Sequence, residues 1–280
     1  MSEQRFDRQF DATPLDSRSR ELRELVIRGL AGGQRGHIGS SMSIVEIIRV
    51  LYDNFLRFKP TDPLWLERDR FILSKGHGCL AHYAILVDKG FISPQELDRF
   101  CHEDGILGGH PEKGKIPGVE ASTGALGHGL SIATGMAIAA RLKQKHHRVV
   151  VLVGDGEINE GSVWEAAMCA GNQKLKNLLV FIDYNKIQSY SFTKEVADLE
   201  PLAAKWEAFG FMVRQVNGHD VNALKSLVEE LPFSTSQPSV VICHTTKGKG
   251  IDFAENNPEW HHKSRLSSVE IDSMLSSLSE

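Results

Sequence analysis

The stretch "VVVLVGDGEINEGSVWEAAMCAG", Val149 to Gly171, runs from an apolar segment directly into carboxylates and glycines and then into a helical pattern. Val149–Val153 are continuously apolar, the signature of a strand buried on both faces of a parallel sheet. Ligands of open α/β sheets sit at the carboxyl ends of strands, and "GDGEINEG" stands at such an end. The free N–H groups and dipole of the following helix start favour an anion, typically phosphate. Gly154 and Gly156 let backbone approach closely. Asp155 would repel a phosphate, and a divalent cation between the two removes the conflict. Mg²⁺ suits this place, because it takes carboxylate and phosphate oxygens together. A simple turn is the bland reading of G-D-G. An EF-hand is excluded: Glu160 stands where its loop needs Gly, and Ala166 where it needs Glu.

The alternation continues outward. Strand 149–153 precedes helix 160–172, strand 177–184 precedes helix 199–209, strand 211–216 precedes helix 220–230, and strand 239–245 closes the series. Upstream, helices are expected over 16–30, 43–55 and 77–89, with strand 70–74 among them. Ser43 and Glu46 form a capping-box pattern. "SPQELDRF" (93–100) starts another helix, with Ser at the cap and Pro at the first helical position. Residues 104–123 read as a long loop, and 124–145 as a helix of small residues. These patterns predict an α/β fold, a parallel sheet flanked by helices on both faces. Residues 1–15 read as a polar tail and 16–280 as one domain, closed by an exposed helix.

Composition narrows the function. A formal charge of −4 argues against a general nucleic-acid binder. The charged N-terminus lacks the apolar core of a signal peptide, and no apolar run approaches the ~18 residues that would span a bilayer. Cys79, Cys101, Cys169 and Cys243 are scattered, as expected of idle thiols in a reducing cytoplasm.

Strand 177–184 runs into "DYNKIQ" and places Asn185 at a neighbouring strand tip. Its amide oxygen and the Ile187 carbonyl are candidates to complete the protein ligands of the metal. G-D-G followed about thirty residues later by N resembles the thiamine diphosphate enzymes. The blocks "RGHIGSSMS" (35–43), "DRFILSKGHGCLAHY" (69–83), "GGHPE" (108–112), "PGVEASTGALGHGLSIATGMAIA" (117–139) and "TTKGKGIDFAENNPEWHHK" (245–263) occur in order around it. Together they closely resemble the N-terminal, diphosphate-binding part of transketolase.

That resemblance implies thiamine diphosphate and Mg²⁺ as cofactors, with Asp155, Asn185 and the Ile187 carbonyl as metal ligands. It implies cofactor contacts from Ser40, His77, Lys247, Gly154, Gly156, Asn185, His261 and the turn Gly124–Ala125–Leu126. Glu160 is implied to meet the catalytic glutamate of a neighbouring chain. His37, His77, His110 and His261 are implied to serve the reaction, where imidazoles titrating near neutrality suit proton transfer. His82, His102, His146, His147 and His219 are read as surface or structural. His128 and His262 depart from the family's pattern.

A full transketolase chain is more than twice as long, and the pyrimidine-binding and C-terminal domains of that family are expected to be supplied by another chain. The resemblance therefore implies one half of a split enzyme, a heterotetramer with two copies of each chain, acting on sugar phosphates in the cytoplasm. An apolar partner-facing surface is expected on loops 35–43, 104–128 and 155–165. The rival readings are the α subunit of a 2-oxo acid dehydrogenase and a non-catalytic cofactor-binding domain.

Overall fold

A computed structural model describes residues 12–189 and 191–279. The greater part of the expected polar tail, residues 1–11, lies outside the described residues.

Five strands form one wholly parallel sheet in the order β1-β2-β3-β5-β4: β1 Arg70–Leu73, β2 Val149–Gly154, β3 Leu178–Tyr184, β4 Met212–Asn217 and β5 Ser239–His244. Both faces are covered, and every residue of β2, β3 and β5 is buried. Alternate side chains of these strands enter two different apolar clusters. Val150, Leu152, Leu179 and Phe181 face one; Val151, Val153, Val180 and Ile182 face the other. Continuous apolar runs, rather than alternating ones, follow from that double burial.

The expected alternation is present, with boundaries shifted by a few residues. Helix α1, Ser17–Gly33, is capped by the Asp16 side chain. The expected helix over 43–55 is instead two pieces, α3 Val45–Val50 and a π-turn, Leu51–Phe55, and a separate short helix, α2 Ile38–Met42, precedes them. The capping box is not formed. Ser43 ends α2 and its Oγ donates to Asp183 (2.7 Å), while Glu46 turns inward to Arg23 (2.5 Å). A buried carboxylate finds a stronger partner in a guanidinium than in a backbone amide.

Downstream lie α4 Cys79–Asp88, α5 Gln95–Asp98, α6 His128–Leu142, α7 Gly161–Asn172, α8 Thr193–Val196, α9 Leu202–Ala208, α10 Val221–Glu229 and α11 Ser268–Ser279. Helix α6 starts later than its small-residue pattern suggested, because Gly124 and Gly127 adopt positive φ and form a turn. The closing helix is only partly exposed: Met274 and Leu278 are buried, and Arg20 donates to the Leu278 carbonyl (2.6 Å).

The carboxyl ends of β2, β3 and β5 lie side by side, pairing Gly154 with Asp183 and Tyr184 with His244. The segments that follow these strands, 155–160, 185–189 and 245–250, are thereby brought to one edge of the sheet.

Candidate active site

A cavity of about 80 Å³ opens at that edge. Asp155, at the tip of β2, is 2 % exposed. Its carboxylate accepts from the Gly156 and Lys186 amides at 2.7 and 2.5 Å. Burial and the charge of Asp183 push its carboxyl up to about 7, against the pull of Lys247. A carboxylate in that position calls for a cation beside it.

Asn185 follows β3. Its Nδ2 donates to Asp183 (2.8 Å), so Oδ1 is the atom presented, accepting from the Ile187 amide (3.1 Å). Asp183 is itself wholly buried and accepts from Lys75 Nζ and Thr245 Oγ1, both at 2.5 Å, as well as from Ser43. Burial would raise its carboxyl, but the Lys75 ammonium and these donors hold it below the usual range. The Ile187 carbonyl accepts from Lys247 Nζ (2.7 Å). A carbonyl has two lone pairs, so this bond leaves room for a metal. Asp155, the Asn185 amide oxygen and the Ile187 carbonyl form an all-oxygen donor set that fits Mg²⁺. Among the described residues no cluster of three His, Cys, Asp or Glu suits a transition metal.

Two ammonium groups, Lys75 and Lys247, line the same cavity with Ser40, Gly154 and Gly156. Burial pushes Lys247 down to about 8, despite the pull of Asp155. This cradle fits a diphosphate through its cations and small residues; the start of α7 at Gly161, expected from the sequence, does not line it. Gln188 Nε2 and His261 Nδ1 also border it, buried and without a hydrogen-bond partner in the protein. Such orphaned groups mark a place where a ligand's polar atoms complete the bonding.

Glu157 explains how the glycine loops are shaped. Its carboxylate accepts from the Gly154 amide (3.0 Å), the Gly127 amide (2.9 Å) and the Ser74 hydroxyl. Gly127 has φ +84°, and a Cβ there would lie 2.6 Å from Glu160 Cβ and from Ser162 Oγ. Gly127→Ala is expected to destabilise the fold by about 1–3 kcal/mol, read as a lower denaturation midpoint in chemical unfolding. An unchanged midpoint would show that this turn tolerates a side chain.

The histidines gather around His37. Ring centroids lie 5.3 Å from His77, 6.3 Å from His110, 5.6 Å from His261 and 4.5 Å from His262. Burial, the neighbouring imidazoles and the lysine charges hold His37 and His261 at about 3. His77 is well below its ordinary value for the same reasons. The surroundings of His37, His77 and His261 thus favour the neutral imidazole, with one ring nitrogen to donate and one to accept, where the sequence reading expected titration near neutrality.

A family comparison decides what this arrangement belongs to. The transketolase thiamine diphosphate binding domain matches residues 17–279. The chain belongs to the transketolase family. It is 45 % identical over 241 residues to a subunit of the apulose-4-phosphate transketolase of Actinobacillus succinogenes, covering 86 % of this chain and 87 % of that one. It is 39 % identical over 262 residues to a 6-deoxy-6-sulfo-D-fructose transketolase subunit of a Clostridium species, covering 94 % and 93 %. The solved transketolase of Leishmania mexicana superposes with a TM-score of 0.88 at 31 % identity, covering 94 % of this chain and 41 % of that one. Thus the chain spans nearly all of the subunit-type transketolases and about two fifths of the solved long ones.

The transketolase-like residues do not all meet in one place. Ser40, His77, Leu126, Asn185, Ile187, Lys247 and His261 share the cavity with the Gly154–Gly156 tip. Gly124 lies outside it, packed against the His110 ring, where a Cβ would come within 2.8 Å. Ala125 is exposed. Glu160 is also exposed, beside Gly127 at the start of α7. Loops 35–43, 104–128 and 155–165 contribute no large exposed apolar side chain. Those nearest in sequence are Ile132 on α6 and Met168 on α7. Lys75, Glu157 and Gln188 escape the sequence reading. Lys75 carries a signal, a lysine directly after a strand in "SKGH", that the adjacent histidine overshadows.

Proposed function

We propose that this chain is the diphosphate-binding half of a two-subunit transketolase-type transferase, moving a two-carbon ketol unit from a ketose phosphate to an aldose phosphate. The observation that carries this reading is the convergence on one cavity of an oxygen donor set, Asp155, Asn185 and the Ile187 carbonyl, with the ammonium groups of Lys75 and Lys247. Asp155, Asn185 and Ile187 would hold Mg²⁺, while Lys75, Lys247, Ser40 and the Gly156 backbone would hold the diphosphate. When bound, thiamine diphosphate supplies the electron sink for carbon–carbon cleavage. His37, His77, His110 and His261 then stand where substrate hydroxyls must gain and lose protons. Glu160, which is exposed, would meet the partner.

A partner carrying the pyrimidine-binding and C-terminal domains would complete the cofactor site, in an assembly with two copies of each chain. The two relatives spanned almost end to end carry the names of different sugars, and the sugar used here is left open by them. Among the described residues no helix is long and apolar enough to cross a membrane; with four free thiols, that supports a cytoplasmic enzyme. Calorimetric titration of thiamine diphosphate into the chain mixed with its partner tests the reading. Tight binding is expected only with Mg²⁺ present. Equal binding in excess chelator would rule out the metal site.

A further inference from the structure

Behind the cavity, Arg23, Glu46 and His219 form a buried group whose side chains are at most 1 % exposed. Arg23 donates to both carboxylate oxygens of Glu46 (2.5 and 3.0 Å), and His219 Nδ1 meets Glu46 Oε2 at 2.8 Å. The Thr246 amide donates to His219 Nε2 (2.8 Å). A backbone amide can only donate, so Nε2 accepts and Nδ1 carries the hydrogen that goes to Glu46.

The same group grips both loops that face the diphosphate. Arg23 donates to the Met42 carbonyl (3.0 Å), in the helix that carries Ser40, and to the Lys249 carbonyl (2.8 Å). The Gly248 amide ties the two loops directly, donating to the Gly39 carbonyl (3.2 Å). Lys247 therefore sits between a residue held by His219 and one held by Gly39, and its ammonium reaches Ile187.

We infer that Arg23, Glu46 and His219 are positioning residues for the diphosphate site, with His219 setting the place of Lys247 through the Thr246 amide. The inference rests on the cofactor reading above. None of the three lines the cavity, so their effect passes through the loops. Loss of this clasp should weaken cofactor binding and leave turnover at saturating cofactor nearly unchanged.

Side-chain geometry supplies the test. Glutamine at 219 can present an amide oxygen near the Nε2 position and keep the Thr246 bond. Asparagine reaches only the Nδ1 position and loses it. His219→Gln, His219→Asn and Arg23→Lys are assembled with the partner, and thiamine diphosphate with Mg²⁺ is titrated by calorimetry beside thermal unfolding and saturated turnover. His219→Gln should bind within about threefold of the unaltered protein. His219→Asn should bind about tenfold more weakly, the scale of one or two lost hydrogen bonds. Arg23→Lys, which gives up the fork to Met42 and Lys249, should also weaken binding. Affinity equal in all variants, or affinity that follows melting temperature regardless of the Thr246 contact, overturns the inference. Failure of the unaltered complex to bind thiamine diphosphate would instead overturn the cofactor reading beneath it.

Discussion

Asp155→Ala is expected to abolish Mg²⁺-dependent thiamine diphosphate binding by the assembled enzyme. The carboxylate is buried at a strand tip, held by two amides, and belongs to a residue that lines one cavity with Asn185 and Ile187. Without it the cation loses its charged protein ligand, and the diphosphate loses the cation that offsets its charge. The cost should be several kcal/mol, roughly a thousandfold or more in affinity. The fold should survive, because Asp155 lines a cavity rather than either apolar cluster of the sheet. Titration of both proteins with cofactor, with and without Mg²⁺, measures this. Cofactor affinity unchanged by the substitution would place the metal elsewhere.

The second large effect concerns turnover. His261→Ala and His110→Ala should each lower ketol transfer by ~10²-fold or more, the usual scale for removing a positioned proton-transfer group. Thermal unfolding should change little, because neither ring is deeply embedded in the core. His146→Ala is the control: the side chain is exposed, and it is the backbone carbonyl of His146 that accepts from Arg57. Turnover should be normal there. A loss as large as that of His261→Ala would show that the active histidines have been wrongly chosen. His262 adds a discriminating comparison, because its ring is the nearest of the four to His37.

Much of this site is legible because it is written at strand ends. The run Val149–Val153 reads only as a doubly buried strand, and the next residues have to meet whatever occupies its tip. That logic points to Asp155, and the same logic one strand over points to Asn185 and Ile187. What is not legible depends on contacts distant in sequence. Ser43 and Glu46 match a local capping pattern, but Asp183 and Arg23 reach them across the fold and win. His219 reads as a surface or structural histidine; it is buried, and its contact with the Thr246 amide cannot be read from "NGHD". Lys75 stands inside a recognisable block, yet its pairing with Asp183 arises only when β1 and β3 flank β2. The lowered histidines follow the same rule, since no spacing in the sequence shows that His37, His77 and His261 crowd one another.

If this chain holds the diphosphate half of a transferase site and needs a partner for the rest, neither half should act alone. A coupled assay for transfer between a ketose phosphate and an aldose phosphate tests this most directly. The lone chain, the chain with the pyrimidine-binding domain, and their mixture are each assayed with saturating thiamine diphosphate and Mg²⁺, with mass followed by light scattering. Activity is predicted only in the mixture, at a mass fitting two copies of each chain; substantial transfer by the lone chain would contradict the division of the site between two chains.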